Sequence, residues 1–218
     1  MTKLNIAILS YRSAPFGGGQ GVYINDISKA LSIMGHKVDV ISGPPYPNLS
    51  EEVNLIELPG LNLFQTFSFN ERVKIFWKKE RKNFSDIYEF LSVLLGGFPE
   101  MRTFGYRARD YLNNNNHYDI VIDNQSISYA MIDIQKLFPF IEIIPHPITK
   151  DFKYEMDQSN KLLYKFSRRR WYSFLKMQKR VAPKINNIIT PSINSLRDIS
   201  KDFNCDPSRI TVIQNGLD

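Results

Sequence analysis

The chain has 218 residues, 43% of them hydrophobic, with one cysteine and a formal charge of +6. That size supports a buried core in one large domain or two small ones; no apolar run approaches the ~20 residues of a membrane span, and a lone Cys205 excludes an intrachain disulfide or a Cys-rich metal site. The basicity is local: Lys161 to Arg180 holds eight Lys or Arg and no acid, so this segment is +8 and the remainder of the chain is −2.

The opening "MTKLNIAILSYRSAP" stops being apolar at Tyr11-Arg12 and lacks a small-residue cleavage pattern, which predicts a first strand over "LNIAILS" rather than a signal peptide. A glycine loop follows, "FGGGQGVY", and then "GVYINDISKALSIMG", whose Val22, Ile27, Ala30, Leu31 and Met34 fall at roughly helical spacing before Gly35. "HKVDVIS" is a second strand, so the opening is a β-α-β unit with a right-handed crossover in a parallel sheet. "GPPYPNLS" is a turn and "VNLIEL" a third strand.

Apolar residues from Val73 to Leu95 form a helical stripe with a lapse around Glu80-Arg81, ended by Gly96-Gly97. A shorter helix runs to about Leu112, before the turn Asn113 to Asn116. "YDIVIDN", "FIEIIPH", "NIITPS" and "ITVIQNG" are four further strands. Nearly continuous β-branched runs with helices between them predict an α/β fold, a doubly wound, mostly parallel sheet covered on both faces.

In such folds ligands bind beyond the carboxyl ends of the strands. The residues placed there are the Gly17 to Gly21 loop, Asp123-Asn124-Gln125, Pro145-His146-Pro147, Thr190-Pro191-Ser192 and Asn215-Gly216. The glycine loop fits the dinucleotide pattern G-x-G-x-x-G poorly, since Val22 stands where the third glycine belongs, and the absence of G-K-[ST] excludes a P-loop. Four glycines in five positions still suit either a tight turn or a backbone that admits phosphate oxygens to its N–H groups. His146, stiffened by a proline on each side, is a candidate catalytic residue as well as a simple strand-end histidine. Asn124, Gln125 and Ser192 are acceptor-side rim candidates; Asn124 also reads as a turn former, and Ser192 as the N-cap of a helix over "INSLRDISKDF". No His or carboxylate pair stands at metal-ligand spacing, and Cys205 is assigned no role.

Together, "GGGQGVYINDISKALSIMGHKVDVIS", "YDIVIDN", "IIPHPITKDF", "RRRWYSFLKMQKRVAPKINNIITPSINSLRDI" and "RITVIQNGLD" resemble, in order and spacing, the N-terminal half of glycosyltransferase family 4, over essentially the whole chain. The resemblance implies a GT-B architecture of two Rossmann-like domains, with residues 1–214 as the acceptor-side domain and 215–218 as the start of an interdomain linker hinged at Asn215 and Gly216. It implies transfer of a sugar from a nucleoside diphosphate donor to an acceptor hydroxyl, with retention and without a cofactor or required metal. Gly17, Gly18, Gly19 and Gln20 would face the donor diphosphate and acceptor, and His146 would stabilise developing charge. The donor-binding basic residues and glutamate pair of the family belong to a second domain, and no position here takes those roles.

A peripheral membrane contact on the inner, cytoplasmic face is a further expectation, since acceptors in the family are often lipid-linked: Arg168, Arg169, Arg170 and Trp171, and a second basic stretch at Lys74 to Lys82, would meet anionic headgroups. The plainer reading of both is amphipathic helices with core aromatics and solvated cations. The competing functions are a non-catalytic module pairing with a separate donor-binding subunit, a dehydrogenase-type domain, weakened by the missing third glycine, and a nucleic-acid binder, disfavoured because no recognition motif accompanies the basic segment.

Overall fold

A computed structural model describes residues 2–15, 19–66 and 68–216. Among them, seven strands form one parallel sheet in the order β3-β2-β1-β4-β5-β6-β7. The strands are β1 (Asn5–Ser10), β2 (Lys37–Ser42), β3 (Asn54–Glu57), β4 (Ile120–Asn124), β5 (Phe140–Ile143), β6 (Ile188–Thr190) and β7 (Ile210–Val212). All seven were anticipated from their apolar runs. Registers align the carboxyl ends: Ser10 pairs with both Ser42 and Asn124, and Asn124 with Ile143. The order reverses between β1 and β4, and this is where such sheets open a crevice for ligands.

Alternation along the strands sends side chains to two cores. On one face Ala7, Leu9, Val121 and Phe140 pack with α4 (Glu100–Asn114), α5 (Tyr129–Leu137), α8 (Leu175–Val181) and α9 (Ile193–Phe203) through Phe104, Met131, Val181 and Phe203. On the other, Ile6, Ile8, Val40 and Ile122 pack against α1 (Gly19–Ile33) through Ile24, Ile27 and Leu31. Helices therefore cover both faces, as continuous apolar strands require.

Helix α1 is rotated from its expected face: Val22 and Met34 are exposed, while Ile24 and Ser28 are buried. The close approach of Gly21 to the loop before the helix accounts for this, because a Cβ there would lie 2.4 Å from the Ala14 carbonyl oxygen. Gly35, at φ +91°, ends the helix in the left-handed conformation that glycine adopts without penalty.

The single stripe expected from Val73 to Leu95 is two helices, α2 (Phe69–Lys78) and α3 (Phe84–Leu94). The lapse at Glu80-Arg81 is a break between the two helices. Asn83 restarts the helix through a capping box, its side chain accepting from the Asp86 N–H while the Asp86 carboxylate accepts from the Asn83 N–H. The basic segment is likewise not one helix: α7 (Leu162–Trp171) is separated from α8 by a tight turn at Tyr172–Phe174. A helix α6 (Thr149–Asp157), not anticipated from the sequence, follows the Pro145-His146-Pro147 corner.

Candidate functional site

A cavity of about 430 Å³ opens at the carboxyl end of the sheet. Its lining includes Gly19, Gln20, Asn124, Gln125, His146 and Asn215, residues from four separate parts of the chain. The parallel sheet brings them together because each follows a strand that ends on the same rim.

Each wall has its own local cause. Helix α1 begins at Gly19, and its first turn has no acidic side chain to offset the positive end of the helix. Among the described residues a Cβ on Gly19 would meet nothing within 4 Å, so this glycine leaves space open while Gly21 serves packing. The glycine run thus divides its labour; Gly17 and Gly18 lie outside the described residues. Gln20 Nε2 donates to Gln125 Oε1 at 2.9 Å, tying the α1 wall to the β4 wall.

The turn after β4 is strained. Gln125 and Ile127 have φ of +67° and +45°, the latter a rare conformation for a β-branched residue. Asp123 holds it: its Oδ2 accepts from the Ser126 N–H at 2.9 Å, the Ser126 hydroxyl at 2.7 Å and the Ile127 N–H at 3.2 Å. Alternation therefore removes Asp123 from the rim where the sequence placed it, to the opposite face of the sheet. There it is fully buried and in register with Glu142. Burial, reinforced by the neighbouring Asp123 carboxylate, pushes the Glu142 carboxyl well above the usual range. With the Asp123 carboxylate beside it, the neutral acid is the form of Glu142 that this site tolerates.

Asn124 points into the cavity, 2% exposed, and its Oδ1 accepts no hydrogen bond from the described residues. A buried acceptor left open beside a cavity is suited to a ligand hydroxyl. The His146 side chain is 59% exposed, with Nε2 3.8 Å from Asp151 Oδ2. Asp151, in the first turn of α6, was missed in the sequence; its place five residues after His146 is visible there only once α6 is known to turn back over the rim.

Ser192 is absent from this lining and caps α9, its hydroxyl accepting from the Ser195 N–H at 3.0 Å. Gly216 is exposed beyond the lining, next to Asn215 within it. Arg168 pairs with Glu155 at 3.2 Å, and the Arg170 guanidinium stacks over Phe166 at 5.4 Å. Arg169 is exposed. Trp171 is wedged between Phe64 and Phe98, 5.2 Å from each ring, and Tyr172 and Phe174 are buried, so these three aromatics belong to the protein interior. Burial raises the Cys205 thiol to about 12, which leaves it unreactive. No helix is long and apolar enough to cross a membrane among the described residues.

The model of Glycosyltransferase Family 4 matches residues 17–218. Over 218 residues the chain is 38% identical to the MMP alpha-(1->4)-mannosyltransferase of Mycolicibacterium hassiacum, a match covering 99% of this chain and 52% of that protein. The chain thus spans about half the length of this curated relative. Among solved structures, it is similar in fold to WaaG, a glycosyltransferase involved in lipopolysaccharide biosynthesis (TM-score 0.55, 14% identity, 97% of this chain and 45% of that one). A glycosyltransferase from Rickettsia africae ESF-5 gives a TM-score of 0.51 at 16% identity, over 100% of this chain and 44% of that one. With a seven-stranded parallel Rossmann-like sheet of the kind these GT-B proteins share, and a family match over nearly its whole length, the chain belongs to glycosyltransferase family 4.

Proposed function

We propose that this chain is the acceptor-side wall of a retaining transferase that moves a hexosyl group, mannosyl by analogy with its relative, from a nucleoside diphosphate sugar to an acceptor hydroxyl in glycan, glycolipid or cell-surface polysaccharide synthesis. The observation that carries the reading is one cavity gathering Gly19, Gln20, Asn124, Gln125, His146 and Asn215 in a family 4 fold.

In this reaction the bond from the anomeric carbon to the diphosphate oxygen breaks and a bond to the acceptor oxygen forms on the same face. The acceptor proton passes to the leaving diphosphate. The N–H groups at the start of α1 favour the charge that develops on the leaving group, and the bare Gly19 lets it approach. Asn124 and Gln125 orient hydroxyls, and His146 stabilises the reacting sugar. Resemblance to the family supports a reaction without metal, so chelation by EDTA leaves turnover unchanged.

The second half of the nucleotide-sugar site comes from another segment, in the same chain or in a partner subunit, as the length of the curated relative supports. The non-catalytic alternative, a binding module in a complex, is separated by one experiment. Residues 1–218 are supplied with a donor-binding half, in cis or in trans, and nucleotide-sugar turnover is followed. His146→Ala lowers turnover by about 10²-fold or more with little change in melting temperature, because the side chain is exposed. Equal turnover by the variant overturns the assignment of His146, and no turnover by the wild-type assembly favours the binding module.

The same reading puts the enzyme in peripheral contact with the cytoplasmic side of the cell membrane. Leu162 and Leu163 on α7 are 83% and 85% exposed and stand among Lys161, Lys165 and Arg169, a combination that suits an anionic lipid surface.

A further inference from the structure

Beside the first cavity lies a second, of about 450 Å³, between α6 and α7. Asp151, Tyr154, Glu155, Tyr164, Arg168 and Tyr172 line it, and its volume is within the roughly 300–1,000 Å³ of small-molecule sites. Asp151 lines both cavities, and its carboxylate is 3.8 Å from His146 Nε2, so the two meet at a single side chain.

The lining argues for an uncharged polyhydroxyl ligand. Arg168 Nη1 donates to Glu155 Oε2 at 3.2 Å and the Tyr172 hydroxyl donates to Glu155 Oε1 at 2.9 Å. The one arginine is thereby neutralised, and Asp151 adds a further negative charge, which disfavours a phosphate or sulfate. Tyr154 and Tyr164 supply flat apolar rings with polar rims, a surface that matches the C–H face and hydroxyl edge of a pyranose, while the buried Tyr172 closes the floor behind them. Tyr154 is 69% exposed and has no share in the core. Arg168 Nε is buried without a hydrogen-bond partner among the described residues, an open donor in the wall of this cavity. Helix α7 keeps two stripes apart: Tyr164 and Arg168, four residues apart, line the cavity, while Leu162, Leu163 and Phe166 face solvent.

We propose that this second cavity is a subsite for the sugar units behind the reacting one, so that the acceptor is an oligo- or polysaccharide bound over Asp151 and along the tyrosines of α6 and α7. The inference rests on the transferase reading of the first cavity and adds the acceptor class to it.

The test is selective NMR of histidine and tyrosine rings in the 218-residue chain, with His146 assigned through His146→Gln and the tyrosines through Tyr154→Phe and Tyr164→Phe. The probes are α-(1→4)-linked tetraoses of mannose and of glucose, methyl α-mannopyranoside and inorganic phosphate. A tetraose is expected to move the signals of His146, Tyr154 and Tyr164, and the methyl glycoside that of His146 alone. Joint replacement of Tyr154 and Tyr164 by alanine is expected to weaken tetraose binding at least about 10-fold and to leave the methyl glycoside unaffected. Tetraose signals confined to His146 overturn the subsite and leave the transferase reading standing. Signals confined to the tyrosines uphold the subsite and overturn the placement of the reacting end at His146. Tyrosine signals that respond to phosphate instead, or no response to any sugar, overturn the subsite.

Discussion

Gly19 and Gly21 stand two residues apart and do different work. A Cβ at Gly21 lies 2.4 Å from a backbone carbonyl oxygen, whereas one at Gly19 meets nothing within 4 Å among the described residues. Gly21→Ala is therefore expected to cost about 2 kcal/mol or more through forced backbone movement, read as a lower midpoint in urea. Gly19→Ala is expected to leave that midpoint within about 0.5 kcal/mol and to impair donor use. A Gly21→Ala midpoint equal to wild type refutes the close packing of α1 on residues 13 and 14.

Glu100 carries a pH signature. It is buried on α4, Arg12 Nη1 donates to its Oε2 at 2.9 Å, and its Oε1 is unpartnered among the described residues. Burial outweighs the arginine and raises this carboxyl from 4.5 to about 7. Between those values the folded state holds a proton that the unfolded state has released. The contribution to stability is therefore complete below pH 4.5 and is lost as pH rises to about 7. The stability of wild type relative to Glu100→Gln should fall by on the order of 3 kcal/mol across that window, as measured by urea unfolding at each pH. A flat difference would show that the ion pair with Arg12 keeps Glu100 charged throughout.

At the scale of elements, caps and breaks were the legible features and faces the less legible ones. Asn83 and Asp86 build a capping box where the apolar stripe lapsed, and Ser192 caps α9 as its sequence position implies. The basic segment was harder, because spacing alone does not say which side of a short helix meets the core. Trp171, Tyr172 and Phe174 went inward with the turn at residues 172–174, and Leu162, Leu163 and Phe166 were left outside. For this reason the lipid test belongs on α7: Leu162→Ser with Leu163→Ser should reduce cosedimentation with phosphatidylglycerol vesicles by several-fold and leave the fold intact. Binding that is unchanged, or equal on phosphatidylcholine, removes the membrane contact.

At the scale of the molecule, one rim collects residues that are up to 196 positions apart, from Gly19 to Asn215. In the proposed reading such a rim serves one side of a substrate pair. Residues 1–218 alone are accordingly expected to fold cooperatively and to bind acceptor saccharide, with no detectable turnover of any nucleoside diphosphate sugar. Turnover by the purified chain in a radiolabelled transfer assay would refute the division of labour between two halves.

The sequence by itself determined the parallel sheet and its rim, because continuous β-branched runs are stable only when covered on both faces, and each run ends in a polar cluster at the same edge. It also carried the family, through motifs whose order survives divergence. Only the tertiary structure decided which rim residues face the cavity. Adjacent strand residues point to opposite sides, so Asn124 opens on the site while Asp123 turns beneath it to hold the strained turn. Tertiary packing likewise brought Asp151 against His146 and set the tyrosines of α6 and α7 around a second cavity, since the return of one helix over another is fixed by long-range burial that no local pattern records.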